Sequence, residues 1–260
     1  MLFQGPSKLT VMKAIIAAVL LLFSGGVLCA DDFVFESGRK KVQLLELFTS
    51  EGCSSCPPAE ASLARLVKDP RLWHEIVPIA FHVDYWDRLG WKDPFASPEW
   101  TKRQRAYAAN WNAESVYTPN FVLDGREWEN ATVPVVNVEG PGVLRAMVRG
   151  DDNVLVNFDP VRGKTGDFEV YLARLGFGIN NNVRAGENNG RSLRHDFVVL
   201  SLTHEKLEPV PQELHFRSSA LEAASRPDRI ALAVWITNAG DIRPLQATGG
   251  WLPTNRSDAH

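Results

Sequence analysis

The feature that most constrains this chain is the run from Leu44 to Leu66, in which an apolar segment leads into the C-S-S-C-P-P sequence of residues 53–58. Its apolar residues occupy both sides of an extended backbone, which is typical of a strand buried on both faces. Pro57 and Pro58 suit the first turn of a helix, where backbone N–H groups have no partner within the helix. We therefore predict a strand, two cysteines at its carboxyl end, and then a helix.

The position predicted for Cys53 and Cys56 favours redox chemistry. The N-terminus of a helix stabilises an anion, and such sites lower the pKa of a thiol from about 8.5 to roughly 3.5–7.5. Two cysteines separated by two residues can also form a disulfide with each other. Such a pair can donate or accept two electrons through a mixed disulfide.

Composition excludes several classes of partner. The chain has 260 residues, enough for one large domain or two modest ones, and its formal net charge is −3. This charge provides no basic surface for nucleic acid or anionic lipid. The six histidines are scattered along the sequence, so no metal site is visible in it. Nothing in the sequence indicates an oligomeric state.

The N-terminal residues are expected to be removed from the mature protein. Residues 1–11 resemble the remnant of a protease-cleavable expression tag. Residues 12–30 match a secretory signal peptide, with an apolar core of the usual length and small residues near Cys29. The alternative is an uncleaved membrane anchor, but the apolar run is short for a membrane span. We expect a soluble periplasmic or secreted protein with no stable membrane span after cleavage.

Cleavage is expected to remove Cys29 or to leave it as an incidental terminal thiol, so Cys53 and Cys56 are the pair that matters in the mature protein. A purely structural disulfide is one interpretation of such a pair in an exported protein. A bridge across so short a loop stabilises a fold by only about 2 kcal/mol. The pair therefore favours redox or soft-metal chemistry.

The segment 31–150 is predicted to form an α/β unit. A second buried strand over 76–83 implies a parallel pair joined by a right-handed crossover, which places the cysteines at the carboxyl edge of the sheet. Ser97 caps a helix that starts at Pro98. A short strand over 117–125 and a closing helix over 138–148 complete the unit.

The pattern of apolar and polar residues changes near residue 150. Alternating or β-rich runs separated by turn residues predict an antiparallel β module over 151–252, followed by a frayed tail over 253–260. These predicted strands are 154–158, 168–173, 197–202 and 230–236.

The segment from about 42 to 150 resembles a thioredoxin-like fold. The resemblance rests on the cysteine pair, on the strand end at 81–87 and on Thr118-Pro119 before a later strand. It implies that Cys53 attacks, that Cys56 resolves, that Pro119 is a cis-proline and that Glu46 matches a buried acid on the first strand.

A closer resemblance covers most of the mature chain. The motifs at 46–59, 81–87 with 89–95, and 185–191 are similar to those of a family of secreted bacterial thioredoxin-like proteins of unknown function. This similarity implies an α/β fold, a thioredoxin-like domain with a C-terminal antiparallel β module.

The leading functional hypothesis is an exported thiol–disulfide oxidoreductase that acts on protein or small-molecule thiols and disulfides and needs no cofactor. Glu46 would exchange a proton with Cys56, unless it pairs with a lysine or arginine. The residues expected to contact substrate are Ser54, Ser55, Thr118 and Trp86, although serines in such a loop more commonly form turns and caps.

Two alternatives require no redox turnover. In the first, Cys53 and Cys56 bind Cu(I), a soft ion that prefers thiolates, and His82 adds a third ligand. Zinc fits less well, because a closed tetrahedral site needs four ligands. In the second alternative, the chain is an adaptor whose β module binds a partner through the loop at 180–191.

Overall fold

The computed structural model describes residues 33–149, 153–162, 166–215 and 227–253. The predicted tag remnant at 1–11, the signal peptide at 12–30 and nearly all of the tail lie outside these ranges. Within them, no helix has the length and apolar character needed to span a membrane.

The described residues form fourteen strands and two α-helices, with 3₁₀ turns at Arg65–Lys68 and Asp87–Leu89. The helices are α1 (Cys56–Ala64) and α2 (Pro98–Asn110). The strands are β1 (Phe33–Glu36), β2 (Gln43–Thr49), β3 (Ile76–His82), β4 (Asn120–Leu123), β5 (Arg126–Trp128), β6 (Gly142–Arg149), β7 (Asn153–Pro160), β8 (Phe168–Phe177), β9 (Ile179–Asn182), β10 (Ser192–His195), β11 (Val198–Leu207), β12 (Gln212–His215), β13 (Arg229–Asn238) and β14 (Pro244–Trp251).

Strands β2 and β3 form the predicted parallel pair, and every residue of both is buried. Burial on both faces explains why the two segments are almost continuously apolar. The register pairs Thr49 with His82, so both strands end at the same edge of the sheet. The cysteine loop follows β2 at this edge, as predicted.

The prediction of an α/β thioredoxin-like fold is wrong, because the part of the chain that the structure describes is mostly β structure with two short helices. An eight-stranded sheet has the order β14-β13-β8-β11-β3-β2-β4-β5. Its two halves join where β11 runs parallel to β3 at Val198 and Ala80, and the Ala80 N–H donates to the carbonyl of Phe197 at 2.8 Å. Strands from both predicted segments therefore share one sheet.

The predicted closing helix over 138–148 is also wrong, since this segment contains β6. Its buried side chains alternate with more exposed ones, and Leu144, Ala146 and Val148 face the core. The apolar run is dense enough to fit either a helical or a strand period. The segment forms a strand because it pairs with β1 on one side and with β7 on the other.

The predicted strands after residue 150 are confirmed as β7, β8, β11 and β13, and β8 pairs antiparallel with both β11 and β13. Strand β7 belongs to a second sheet of order β1-β6-β7-β12. Apolar side chains of this sheet pack against one face of β8 and β13 in a common core. The second sheet thus covers the part of the large sheet that lies away from the cysteines.

Helix α2 begins as the sequence predicts. The hydroxyl of Ser97 accepts a hydrogen bond from the N–H of Glu99 at 3.2 Å, and Pro98 occupies the first turn. The helix buries Trp100, Arg103 and Tyr107, which lie on one side of it.

Candidate functional site: the cysteine loop and its neighbours

The cysteine loop connects the end of β2 to the start of α1. Cys53 lies in the loop, and Cys56 is the first residue of the helix, with Pro57 and Pro58 behind it. The N–H of Cys56 donates to the carbonyl of Cys53 at 3.2 Å. Both cysteines are free thiols and both are buried. The loop therefore brings two thiols together at the N-terminus of a helix.

The thiol of Cys53 has hydroxyl and thiol donors near it that favour its ionised form. Its Sγ lies 3.2 Å from the hydroxyl oxygen of Ser55, which can donate to a thiolate, whereas the carbonyl oxygen of Thr118, at 3.8 Å, accepts from the neutral thiol only. A hydrogen bond from Cys56, with smaller contributions from Ser55 and Thr118, outweighs burial and lowers the pKa of Cys53 to about 6. Cys53 is thus the more acidic thiol of the pair.

The thiol of Cys56 has the opposite character. Burial raises its pKa, and its hydrogen bond to Cys53 raises it further. Hydrogen bonds from Thr118 and Thr49 oppose this shift only in part. The pair therefore consists of one thiolate and one neutral thiol near neutral pH.

The segment facing Cys53 contains Thr118 and Pro119, and the peptide bond between them is cis, as the resemblance implies. The indole Nε1–H of Trp86 donates to the hydroxyl of Thr118 at 2.7 Å. A Cβ atom at Gly52 would lie 2.9 Å from Cβ of Trp86, so the loop packs directly against this side chain. The structure thus places Trp86 and Thr118 together beside the thiols.

Glu46 is fully buried on β2, but its partners are not the thiols. Arg103 donates to its carboxylate from Nε at 2.6 Å and from Nη2 at 3.0 Å, and the hydroxyl of Tyr107 donates to the same carboxylate. The alternative considered from sequence, in which Glu46 pairs with a lysine or arginine, is the arrangement observed.

His82, considered from sequence as a copper ligand, belongs to a different group of side chains. Its Nδ1 lies 2.8 Å from Oδ2 of Asp93, and its ring lies 5.1 Å from the ring of His195. In the described ranges, the residues whose ligand atoms are grouped closely enough for a metal ion are Glu60, His82 and His195. The set Cys53, Cys56 and His82 is not grouped in this way.

His195 lies between two carboxylates. Its Nε2 is 2.9 Å from Oε1 of Glu51, and its Nδ1 is 2.5 Å from Oε2 of Glu60. Burial lowers the pKa of His195, but the charge of Glu60 and a hydrogen bond to Glu51 outweigh it and raise the pKa to about 10. We call Glu51, Glu60, His82, Asp93 and His195 the histidine–carboxylate cluster.

The histidine–carboxylate cluster adjoins the cysteine loop through α1 and β2. Glu60 lies one helical turn after Cys56, and its Oε1 accepts a hydrogen bond from the hydroxyl of Thr49 at 2.6 Å. Thr49 also interacts with Cys56. The cluster and the thiols therefore share Thr49 as a common neighbour.

The loop between β9 and β10, residues 183–191, covers the cysteine loop. The buried side chain of Asn188 donates to the carbonyls of Glu51 at 2.8 Å and Cys53 at 2.9 Å. Oε2 of Glu187 accepts from the N–H and the hydroxyl of Ser54 at 2.9 and 2.7 Å. Much of the segment considered from sequence as an adaptor surface thus packs against the site.

The sequence around this site matches one described protein family. The sequence pattern of DUF1223, described as a protein of unknown function, matches residues 44–237. The chain belongs to the DUF1223 family. No curated protein matches the chain. These comparisons show a family of unknown function and no thioredoxin family.

Two solved structures share the fold of this DUF1223 chain. A crystal structure of a protein from Agrobacterium tumefaciens, determined by a structural genomics consortium, is 24% identical with a TM-score of 0.56, and the match covers 85% of this chain and 99% of that one. HBP35 of Porphyromonas gingivalis is 12% identical with a TM-score of 0.56, and that match covers 83% of this chain and 76% of that one. At these identities the similarity concerns the fold alone.

Sequence reasoning missed most of the DUF1223 histidine–carboxylate cluster. Glu51, Glu60, Asp93 and His195 were not proposed as site residues, because they are distributed over the chain between positions 51 and 195. The motifs that contain Glu51, Asp93 and Asn188 carry the family resemblance, and this is the signal that the sequence offers for them. All of these residues lie within the range matched by the family.

Proposed function

We propose that this protein catalyses thiol–disulfide exchange through Cys53 and Cys56. The observation that supports the proposal is the asymmetry of the two thiols. Cys53 Sγ is in contact with Ser55 and Thr118, and its pKa is lowered to about 6, whereas the pKa of buried Cys56 is raised. An ionised thiol next to a neutral one suits attack followed by resolution.

The exchange starts with Cys53. About nine-tenths of a thiol with a pKa of about 6 is ionised at pH 7. The thiolate attacks one sulfur of a substrate disulfide, the substrate S–S bond breaks, and one substrate sulfur leaves as a thiolate. The other substrate sulfur stays bound to Cys53 as a mixed disulfide.

Resolution then depends on Cys56. Its proton passes to the departing substrate thiolate, and its sulfur attacks Cys53 Sγ. The mixed disulfide breaks, the second substrate thiolate is released and takes a proton from water, and the Cys53–Cys56 disulfide forms. Two electrons have moved from the cysteine pair to the substrate, and the same steps in reverse oxidise a substrate dithiol.

Substrate recognition in this proposal uses the groups around Cys53. Ser54 and Ser55 are exposed at the loop, and the carbonyl oxygen of Thr118 lies 3.8 Å from the attacking sulfur. Trp86 is partly exposed next to them and provides an apolar surface. Because Cys53 itself is covered, substrate binding must displace part of its surroundings, and the exposed contact between Ser54 and Glu187 is the most accessible part.

The substrates we propose are protein or small-molecule thiols and disulfides, and the proposed location is the periplasm or the extracellular space. Exported proteins need their disulfides formed, reduced or rearranged in such compartments. The reduction potential decides the direction of exchange. Values from about −120 to −270 mV are typical of exchange catalysts, and values below about −300 mV are typical of structural disulfides.

The test is a trapping experiment in a Cys29→Ala background, which leaves Cys53 and Cys56 as the remaining cysteines. Cys56→Ser should accumulate a mixed disulfide with a model disulfide peptide, detected by mass spectrometry as an adduct on Cys53. Cys53→Ser should form no adduct and should have no activity.

The matched control is Ser54→Ala, which changes a neighbouring side chain and keeps both thiols. It should not accumulate an adduct, because Cys56 still resolves the intermediate. If Cys56→Ser forms no adduct while Cys53 reacts normally with iodoacetamide, the exchange proposal is wrong.

A further inference from the structure

The histidine–carboxylate cluster contains one nitrogen without a partner. Nε2 of His82 is buried and forms no hydrogen bond, although the His82 side chain is 0% exposed. A buried polar atom without a partner destabilises a fold, because it has lost its hydrogen bonds to water and gained none in the protein. A ligand at this nitrogen would remove that cost.

The other nitrogen of His82 is held firmly. Nδ1 contacts Oδ2 of Asp93 at 2.8 Å, and Asp93 in turn accepts from the N–H groups of Glu51 at 2.8 Å and Phe95 at 2.9 Å. A histidine that donates one ring N–H to a carboxylate presents a lone pair at its other nitrogen, which is the usual arrangement of histidine ligands to metals. Asp93 therefore orients His82 as a ligand.

His195 and Glu60 complete a set of donors. Ligand atoms of Glu60, His82 and His195 all lie within 4.8 Å of one another. His195 Nε2 contacts Glu51 as His82 Nδ1 contacts Asp93, so each imidazole has its own carboxylate behind it. Donor atoms around tetrahedral zinc lie about 3.4 Å apart, so side-chain movements of about 1 Å bring the three atoms to metal-binding distance.

The charge of the cluster also favours a cation. Glu51, Glu60 and Asp93 supply three carboxylates against two imidazoles. Within the described parts of the chain, no lysine or arginine forms an ion pair with any of the three carboxylates. Because the raised pKa of His195 leaves a proton between its Nδ1 and Glu60, a bound metal ion would displace this proton and take over its positive charge.

We propose that Glu60, His82 and His195 bind one divalent transition-metal ion, with Asp93 and Glu51 orienting the two imidazoles. Two imidazole nitrogens and one carboxylate oxygen are a ligand set that Zn²⁺ accepts, with room for a fourth ligand. A pocket of about 360 Å³ borders Glu60, whose side chain is 10% exposed, so Glu60 is the ligand on the solvent side of the cluster. The site contains neither cysteine, so it does not depend on thiol exchange.

The experiment uses the full chain, treated with a chelator and then titrated with Zn²⁺ by isothermal calorimetry. We expect one ion to bind per chain. Co²⁺ bound in its place should show visible absorption without thiolate-to-metal charge-transfer bands, because the ligands are nitrogen and oxygen. Failure of the folded wild-type chain to bind Zn²⁺ would overturn the proposal.

Variants assign the ligands. His82→Ala and Glu60→Gln should each weaken binding by at least about 100-fold. Circular dichroism establishes whether each variant is folded. If His82→Ala does not fold, Glu60→Gln still tests the site, because glutamine has nearly the same shape as glutamate. His204→Ala is the matched control, since the side chain of His204 is 55% exposed and lies outside the cluster.

The cysteine variants separate this proposal from the one on thiol exchange. The double variant Cys53→Ser/Cys56→Ser should bind Zn²⁺ as tightly as the wild type while losing exchange activity. Loss of Zn²⁺ binding in the double variant, or full binding in both His82→Ala and Glu60→Gln, would contradict the assigned ligands.

Discussion

Arg103 holds Glu46 by two hydrogen bonds inside the core, from Nε at 2.6 Å and from Nη2 at 3.0 Å. The guanidinium carbon also lies 5.3 to 5.5 Å from the centroids of four aromatic rings, which belong to Phe81, Tyr107, Tyr171 and Trp235. The cation thus has a carboxylate and aromatic faces around it, which offset the loss of water.

Removing one partner of the Glu46–Arg103 pair should strongly destabilise the fold. Arg103→Met leaves a buried carboxylate without its cation, and we expect a loss of about 3–5 kcal/mol in the free energy of unfolding, measured by urea titration. The control is Arg145→Met, because the Arg145–Glu36 pair is 45% and 43% exposed and should contribute less than about 1 kcal/mol. Equal losses in the two variants would contradict this interpretation.

The reactivity of Cys53 should follow its lowered pKa. In the Cys29→Ala background, the rate of alkylation of Cys53 by iodoacetamide should rise with pH around a midpoint of about 6. Cys56→Ala removes the hydrogen bond that contributes most to the shift, so its midpoint should move upward. A midpoint near about 8.5 in the parent protein, as for a free thiol, would show that the environment does not stabilise the thiolate.

The same shift predicts the pH dependence of stability in the reduced protein. The pKa of Cys53 is lower in the folded state than the unfolded value of about 8.5. Its contribution is therefore complete above about 8.5 and is lost as the pH falls through about 6. Cys56, whose pKa is raised, destabilises the fold above about 8.5. Between pH values of about 6 and about 8.5, the free energy of unfolding measured by urea titration should change differently with pH in the reduced wild type and in Cys53→Ala. The same pH dependence in both proteins would contradict the linkage.

Asn188 should hold the loop at 183–191 against the cysteine loop and so limit the access of reagents to Cys53. Asn188→Ala removes two hydrogen bonds to the carbonyls of Glu51 and Cys53, and we expect a loss of about 1–3 kcal/mol in stability and faster alkylation of Cys53. Asn189→Ala is the matched control, because this neighbouring side chain is exposed. If both variants alkylate at the wild-type rate, the loop does not limit access to Cys53.

Gly52 should tolerate no side chain. The Cβ of Gly52→Ala would lie 2.9 Å from Cβ of Trp86, so Trp86 must shift, and we expect this shift to weaken its hydrogen bond to Thr118. We expect about 1–3 kcal/mol of destabilisation and altered tryptophan fluorescence. Gly166→Ala, whose Cβ would have its nearest contact at 3.7 Å, should leave both unchanged. Wild-type stability and fluorescence in Gly52→Ala would contradict the close packing.

Local sequence patterns predicted the elements that carry the cysteines. The strand, the thiol pair and the helix at 44–66 follow from neighbouring residues, as does the cap at Ser97. The overall fold did not follow, because pairing between β3 and β11 joins residues more than a hundred positions apart. Residue periodicity holds no information about such a pairing.

The contacts of the candidate site are also long-range, so local sequence patterns did not predict them. The apolar face around Glu46 and the thioredoxin resemblance predict that it exchanges a proton with Cys56, but its carboxylate pairs with Arg103 of α2. His195 reaches Glu51 and Glu60 from β10. Long-range contacts of this kind determine which titratable groups face each other, and a single sequence does not reveal them.

The parallel contact between β3 and β11 has a consequence for dissecting the protein. A fragment ending near residue 150 would leave β3 as an open edge strand, with unpaired backbone N–H and C=O groups between apolar side chains, and such an edge promotes aggregation. It would also lack His195 and Asn188. Short fragments designed around the cysteine motif are therefore unsuitable substitutes for the whole chain, and heating should melt the eight-stranded sheet in a single cooperative transition.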